Sequence, residues 1–278
     1  MFSNTLLNLG VCSVGKSAFG CVADRSPLGA AVAPSSVHAP GWDLLMRPGD
    51  PQAVEQLFDA VAPNYDRLND LLSLGLHRIW KRQLLAWLSP LPGEHWLDLC
   101  CGTGDLALAL ARRLRPGGSV LGLDAAAAPL VVARRRAAVE PWLPLSWLQG
   151  DALDTGLPSH RFDGAVMAYG LRNLADPGAG LIELRRLLRP GARAGVLDFN
   201  RMGEGSLAAR FQRFYLRRLV VPVAAQVGLR EHYAYLEASL QQFPKGEVQE
   251  RLARDAGFAA ASHRPLAAGQ MGALLLTA

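Results

Sequence analysis

The sequence has little cysteine, and what it has is badly spaced for metal. Cys12, Cys21, Cys100 and Cys101 are its four, and they do not make the pattern of paired Cys or His a few residues apart that a zinc site needs. Cys100 and Cys101 are neighbours, and a disulfide between neighbours is strained. They read as two reduced thiols at the buried end of a strand, which points to a reducing cytoplasm. No run of about eighteen apolar residues occurs, so no membrane-spanning helix is expected. The formal net charge of +5 suits an anionic membrane surface or nucleic acid. An attached RNA module and a base-stacking aromatic pair are both missing, however. The Asn/Asp-Pro-Pro-aromatic motif of amino-group methylases is also absent, and AYGL stands in its place. No nucleic-acid partner and no metal are expected. The first 45 residues are poor in charge, with only Asp24, Asp43, Lys16 and Arg25. A transit peptide is Arg-rich and a secretory signal opens on positive charge before an apolar run. Residues 1–45 therefore read as a disordered tail or a misplaced start, and Met46 opens a segment that reads like a protein start.

What is present is an ordinary globular composition, half hydrophobic and 19% charged over 278 residues, enough for one large domain plus a tail. Val54, Leu57, Phe58 and Val61 recur at helix spacing behind Asp50, a candidate cap. A second helical stretch runs from about Leu68 to Leu88. These form an amino-terminal helical lid over about 51–88, and SPLPGEH breaks the pattern. The chain then alternates. WLDLCC, SVLGLD, LSWLQG, FDGAVMAYG and RAGVLDF read as strands, with helices over Leu106–Leu114, Ala127–Val139 and Gly178–Leu188. Helical segments follow over Ser206–Val221, Tyr233–Leu240 and Gly246–Ala256, then two last strands. This alternation predicts an α/β domain over 46–278 with a mostly parallel sheet and helices on both faces.

The chemistry begins at LDLCCGTGD. Asp98 sits near the end of the first strand, Gly102, Thr103 and Gly104 make the turn, and a helix follows. Glycines allow a tight turn and close approach to a ligand, and such turns lie at the carboxyl ends of parallel strands, where ligands bind. The second strand ends in Asp124, a candidate acceptor for both ribose hydroxyls of a nucleoside. QGDAL then puts Asp151 after the third strand, in reach of an adenine amino group. Residues 102–107 also match a dinucleotide fingerprint, G-x-G-x-x-A, so a nicotinamide-dependent oxidoreductase is the rival reading. Asp98 before the glycines and Asp105 after them would repel a diphosphate. Three acids at three strand ends suit a cationic cofactor without phosphate, namely S-adenosylmethionine. The blander reading makes them helix caps and turn formers.

YDRLNDLLSLGLHRIWKR, LDLCCGTGDLAL, LGLD, GDA, FDGAVMAYGLRNLADP, LRPGARAGVLDF and YLEASLQQFP together resemble the ubiquinone/menaquinone biosynthesis C-methyltransferase family, from Val54 to the C-terminus. The LCCGTGD and AYGLRN variants look most like its demethylphylloquinone-methylating members of cyanobacteria and plastids. The resemblance implies the class I S-adenosylmethionine-dependent methyltransferase fold, Rossmann-like, with a seven-stranded mostly parallel sheet whose last strand runs antiparallel. It also implies cofactor contacts at Thr103, Asp124, Asp151 and Ala152. Ala168 departs from the family, which often has Ser there, and AAAAP after the second strand departs as well. The implied reaction transfers a methyl group to a ring carbon of a prenylated naphthoquinol (demethylphylloquinol or demethylmenaquinol), with a benzoquinol of ubiquinone- or plastoquinone-type pathways as the alternative.

Carbon methylation needs an electron-rich ring, so the acceptor should be the quinol, or better its anion. Quinol hydroxyls resemble Tyr, with pKa near ~10. A cation ~4 Å away contributes roughly 4 kcal/mol at an effective dielectric of ~20, which lowers that pKa by about three. Arg172, just past the fourth strand, is the candidate cation. Tyr169 and Asn173 flank the same cleft to orient the ring, and Tyr65 and Asp66 in the lid could cover the sulfonium or pass a proton. His77, alone on its helix, reads as structural, and Arg134–Arg136 as a solvated face. The segment around Phe211, Phe214, Leu216, Leu219 and Val220, with Arg210, Arg213, Arg217 and Arg218, suits peripheral contact with a membrane.

Overall fold

A computed structural model describes residues 75–201 and 230–278, together with 50, 52, 54–56, 59 and 73. The tail over 1–45, Tyr65 and Asp66, and the Arg-rich segment over 206–221 lie outside the described residues. In chain order the elements are α1 (His77–Leu88), β1 (His95–Leu99), α2 (Asp105–Arg113), β2 (Ser119–Asp124), α3 (Ala127–Ala137), β3 (Leu145–Gln149) and β4 (Phe162–Ala168). They continue with α4 (Pro177–Leu187), β5 (Leu188–Phe199), α5 (Arg230–Gln242), α6 (Gly246–Asp255), β6 (Ala260–Leu266) and β7 (Met271–Thr277). The strands form one sheet in the order β3-β2-β1-β4-β5-β7-β6. The first five are mutually parallel, and β7 runs antiparallel between β5 and β6. This is the sheet the family resemblance implies.

Successive strand side chains point to opposite faces, and here both faces are covered. Leu97, Leu99, Ala165 and Met167 join α4 and α6 in one core. Trp96 and Val166, one residue out of step, join α1 and α2 in the other. Near-continuous apolar strands are the consequence, as expected of a parallel sheet. Each fully buried leucine contributes about 1.5–3 kcal/mol.

The boundaries differ from expectation where apolar character and hydrogen bonding part company. WLDLCC overran β1, because Cys100 turns to φ 57° and leaves the ladder. β5 begins at Leu188, ahead of RAGVLDF: Leu188 pairs with Phe162 before a register shift, and its early residues are exposed. α4 starts at Pro177, with the Asp176 carboxylate accepting from the N–H groups of Gly178 and Ala179, a favoured arrangement of cap and N1 proline. Among the described residues no helix is long and apolar enough to cross a membrane.

Candidate active site

The strand order reverses between β1 and β4. Their crossovers leave in opposite directions, which opens a crevice at their carboxyl ends. A cavity of about 360 Å³ occupies it. Gly102, Asp124, Asp151, Ala152, Tyr169 and Asn173, all expected site residues, line this one cavity. Glu55 adds a third carboxylate, and no Lys, Arg or His lines it among the described residues.

Asp124 and Asp151 are fixed by the backbone. Gly102 N–H donates to Asp124 Oδ2 at 2.7 Å, and Ala126 N–H to Oδ1 at 3.0 Å. Burial raises the Asp124 pKa against these bonds. Its oxygens keep capacity for further donors, since an ionised carboxylate has about four lone-pair sites. Asp151 accepts from Leu153 N–H at 2.8 Å. Both acids therefore do the turn-forming work of the blander reading and still face the cavity.

Asp98, Thr103 and Gly104 stand behind the wall. Asp98 is 2% exposed and accepts from Ala107 N–H at 2.8 Å, holding the first turn of α2. Burial pushes its carboxyl up to about 7, against that hydrogen bond and the charge of Lys81. Thr103 is buried, and its hydroxyl and carbonyl accept from Arg136, which also pairs with Asp105. Arg136 thus leaves the solvated face expected of it and ties α3 to the glycine turn. Gly104 sits at φ 81°, and a Cβ there would lie 2.6 Å from the Trp147 ring, so the turn needs glycine for conformation and for packing.

The AYGLRN segment folds against the β5 end. Tyr169 takes φ 63°, its N–H donates to the Leu197 carbonyl, and its ring packs on Phe199 at 5.7 Å. Cys100 and Tyr169 are both left-handed non-glycine residues at adjacent strand ends, and both line the cavity. Such backbone costs about 1–3 kcal/mol each and persists where the surroundings over-determine it. Gly170 lets the two turns meet: a Cβ there would lie 2.6 Å from Cys100 Cβ. The Cys100 and Cys101 thiols are free, and burial pushes both up, so they present neutral surfaces.

Arg172 is placed differently from expectation. Its side chain is 6% exposed and pairs with Asp198 at 2.8 Å, its backbone N–H reaches the same carboxylate, and Nη1 donates to the Tyr169 carbonyl at 2.9 Å. It lies below the cavity wall with its charge matched. Asn173 Nδ2 donates to the same carbonyl at 2.8 Å, and Asn173 Oδ1 accepts from the Tyr235 hydroxyl of α5 at 3.1 Å. Burial pushes Tyr235 up to about 12, so it stays a donor. His77 is buried, with Nδ1 2.8 Å from the Ser73 hydroxyl.

Residues 46–275 match the model of the ubiE/COQ5 methyltransferase family. The chain belongs to the ubiE/COQ5 methyltransferase family. It is accordingly an S-adenosylmethionine-dependent C-methyltransferase, and the nicotinamide reading falls. A relative from Synechococcus elongatus, 2-phytyl-1,4-naphtoquinone methyltransferase, is 49% identical over 82% of this chain and 98% of its own length. A relative from Arabidopsis thaliana, 2-phytyl-1,4-beta-naphthoquinone methyltransferase, chloroplastic, is 41% identical over 79% of this chain and 85% of its own length. A solved S-adenosylmethionine-dependent methyltransferase from Aquifex aeolicus shares the fold at 15% identity, with TM-score 0.54 over 82% of this chain and 98% of that one. In this ubiE/COQ5 member, sequence reasoning missed Gly170, which lines the cavity, and Asp198 and Tyr235, which hold Arg172 and Asn173 from behind it. All three lie in segments that carry the family resemblance, Gly170 in AYGLRN, Asp198 in RAGVLDF and Tyr235 in YLEASLQQFP, but none was singled out for a role.

Proposed function

We propose that this enzyme methylates a ring carbon of a prenylated naphthoquinol, demethylphylloquinol or demethylmenaquinol, at the switch-point cavity. The observation that carries the reading is the lining: three carboxylates, apolar walls and, among the described residues, no cation. That suits a cofactor with a sulfonium and an ammonium but no phosphate, beside a flat aromatic acceptor. The names of the relatives supply the naphthoquinone. S-adenosylmethionine supplies an electrophilic methyl group when bound. Asp124 would accept from its ribose, Asp151 and Ala152 would face the adenine, and Gly102, Thr103 and Gly104 shape the turn beneath. Asp98 adds negative charge behind that turn.

On the acceptor side, Tyr169 and Asn173 are the groups that meet the ring. Arg172 acts through them as a positioning residue: it and Asn173 grip the Tyr169 carbonyl, while Asp198 holds Arg172. Its guanidinium still adds positive potential beneath a ring that becomes negative, reduced by its partner. Arg172 stays protonated and is no base, so the phenolic proton leaves through water, with Asp66 as a further candidate acceptor. A substrate with a long apolar tail stays with lipid, and the enzyme works at a membrane surface without spanning it.

Product analysis with labelled cofactor tests the reading. Demethylated naphthoquinol and benzoquinol are offered, each reduced with dithionite or left oxidised. Label is expected in the ring of the reduced naphthoquinol. Preferred labelling of the benzoquinol would move the substrate assignment, and equal rates on both redox forms would overturn the electronic argument.

A further inference from the structure

Beyond Tyr169 the charge changes sign. Lys81 Nζ stands 5.7 Å from the Tyr169 ring centroid and lines a second cleft, of about 340 Å³, between α1 and α2. Arg78, Lys81, Arg82, Arg112, Arg113 and Arg136 line this cleft, with Asp105 the one carboxylate lining it among the described residues. Lys81 and Arg136 share Asp105, and Arg112 pairs with Glu140 at the rim. Arg78, Arg82 and Arg113 are exposed.

The same turn of α1 shows large apolar side chains to water. Leu76 is 42% exposed and Ile79 56% exposed. With Arg82 they fall at three-residue spacing, on one stripe of the helix. Cations alone would fit a soluble anion. Cations beside outward-facing Leu and Ile fit an interface whose outer layer is phosphate and whose inner layer is hydrocarbon. The attraction of each Lys or Arg to such a surface adds to that of its neighbours, so a group of this size is enough to hold a protein there reversibly.

We propose that the α1–α2 cleft and the exposed turn of α1 dock on an anionic phospholipid surface. Leu76 and Ile79 enter the interface, and Arg78, Arg82 and Arg113 meet headgroup phosphates. The proposal deepens the membrane contact above by naming its surface, and it rests on the quinol reading for its purpose alone. Tyr169 lines the cavity and meets Lys81 of the cleft, so docking here brings the acceptor side of the cavity toward lipid, where a prenylated ring would arrive.

Flotation of the full chain with phosphatidylglycerol/phosphatidylcholine vesicles and with phosphatidylcholine vesicles tests it. Arg78→Glu with Arg82→Glu, and separately Leu76→Ser with Ile79→Ser, are each expected to cut binding to the anionic vesicles by about tenfold or more. The control pair Arg134→Glu with Arg135→Glu makes the same change of net charge on α3, outside the cleft, and should keep binding within about twofold. Equal loss in the control would reduce the effect to net charge and overturn the proposal. So would cleft variants that float like the parent. Inorganic phosphate that raises the melting temperature of a chain which does not float would point to a discrete anion site instead. S-adenosylmethionine calorimetry and thermal melts confirm the fold of each variant, and Arg→Gln forms replace any that fail. Flotation needs no quinol, so loss of the substrate reading would leave this result standing.

Discussion

The switch-point cavity and the α1–α2 cleft meet at Tyr169 and Lys81, yet their linings carry opposite charge and are built in opposite ways. Two of the cavity carboxylates, Asp124 and Asp151, are held by backbone N–H groups of the turns they close, Asp124 by Gly102 and Ala126 and Asp151 by Leu153. Charge-assisted bonds of that kind fix a group in place. The cleft cations stand on long side chains of helix faces, where position is soft and energy comes from number. A fixed set of acceptors selects one small molecule; a loose set of cations fits a surface of variable composition. Beside Tyr169 stand buried Arg172 and Asp198, neutralising one another.

The largest expected effect is at that pair. Arg172→Met should cut turnover by about a hundredfold while leaving S-adenosylmethionine affinity nearly unchanged, since the lost grip on Tyr169 bears on the acceptor. The unpaired Asp198 would also cost about 3–5 kcal/mol of stability, so the double change with Asp198→Asn is the cleaner variant. Arg172→Lys keeps the charge without the planar fork and should retain partial activity. Single-turnover rates alongside cofactor calorimetry check this. A fully active, folded Arg172→Met would remove the residue from the acceptor side.

Next comes the charge of the cavity itself. Asp124→Ala should weaken S-adenosylmethionine binding by more than about tenfold, or ~1.4 kcal/mol, because ribose hydroxyls lose a charged acceptor. The cleft is remote in function, so binding to anionic vesicles should not change. Unaltered affinity in a folded variant would show that the acids serve the turns alone.

The same contrast explains what could be read in advance. The glycine turn and Asp124 and Asp151 were legible because each is encoded within a few residues at a strand end. The alternation of apolar segments was enough to give the parallel sheet. The surroundings of Arg172 were not legible: Asp198 is 26 residues away and Tyr235 is 62 residues from Asn173. Each meets its partner only because β5 lies beside β4 and α5 folds back over the turn. Local pattern says that a strand ends, not which other strand ends beside it. Cys100 and Tyr169 hid for a related reason, since non-glycine residues enter the left-handed region when tertiary contacts hold them there. The cleft was hidden by being split between α1, α2 and α3; of its cations only Arg136 had a reading of its own, as part of a solvated face.

A smaller effect concerns Asp98 and pH. Its folded pKa of about 7 lies above the ordinary 3.8, so the folded chain holds a proton that the unfolded chain releases. The stability this contributes is complete below about pH 4 and is lost as pH rises through about 7. A cationic cofactor favours the ionised form and opposes that trend. S-adenosylmethionine affinity is therefore expected to rise about fivefold from pH 6 to pH 8, and Asp98→Asn should flatten the dependence. Flat affinity in the parent chain would place the cofactor ammonium away from Asp98.

The smallest expected effect is at Asp105, which lines the cleft. Burial pushes Asp105 up, but Lys81 and Arg136 together outweigh it and hold its carboxyl at about 2. Its stabilising share is thus present above the ordinary carboxylate range and lost only as pH falls toward 2. Asp105→Asn removes both ion pairs and one negative charge at the start of α2, where negative charge is favoured. Both partners are part-exposed, so the loss should be only about 1 kcal/mol. The released charge of Lys81 and Arg136 then faces the cleft, and binding to anionic vesicles should rise about two- to threefold. Cofactor affinity should stay within about twofold, because Asp124 and Asp151 are anchored by their own turns. If Asp105→Asn instead weakened the cofactor tenfold and left vesicle binding unchanged, Asp105 would belong to the cavity, and the electrical boundary would lie at Lys81 rather than at Tyr169.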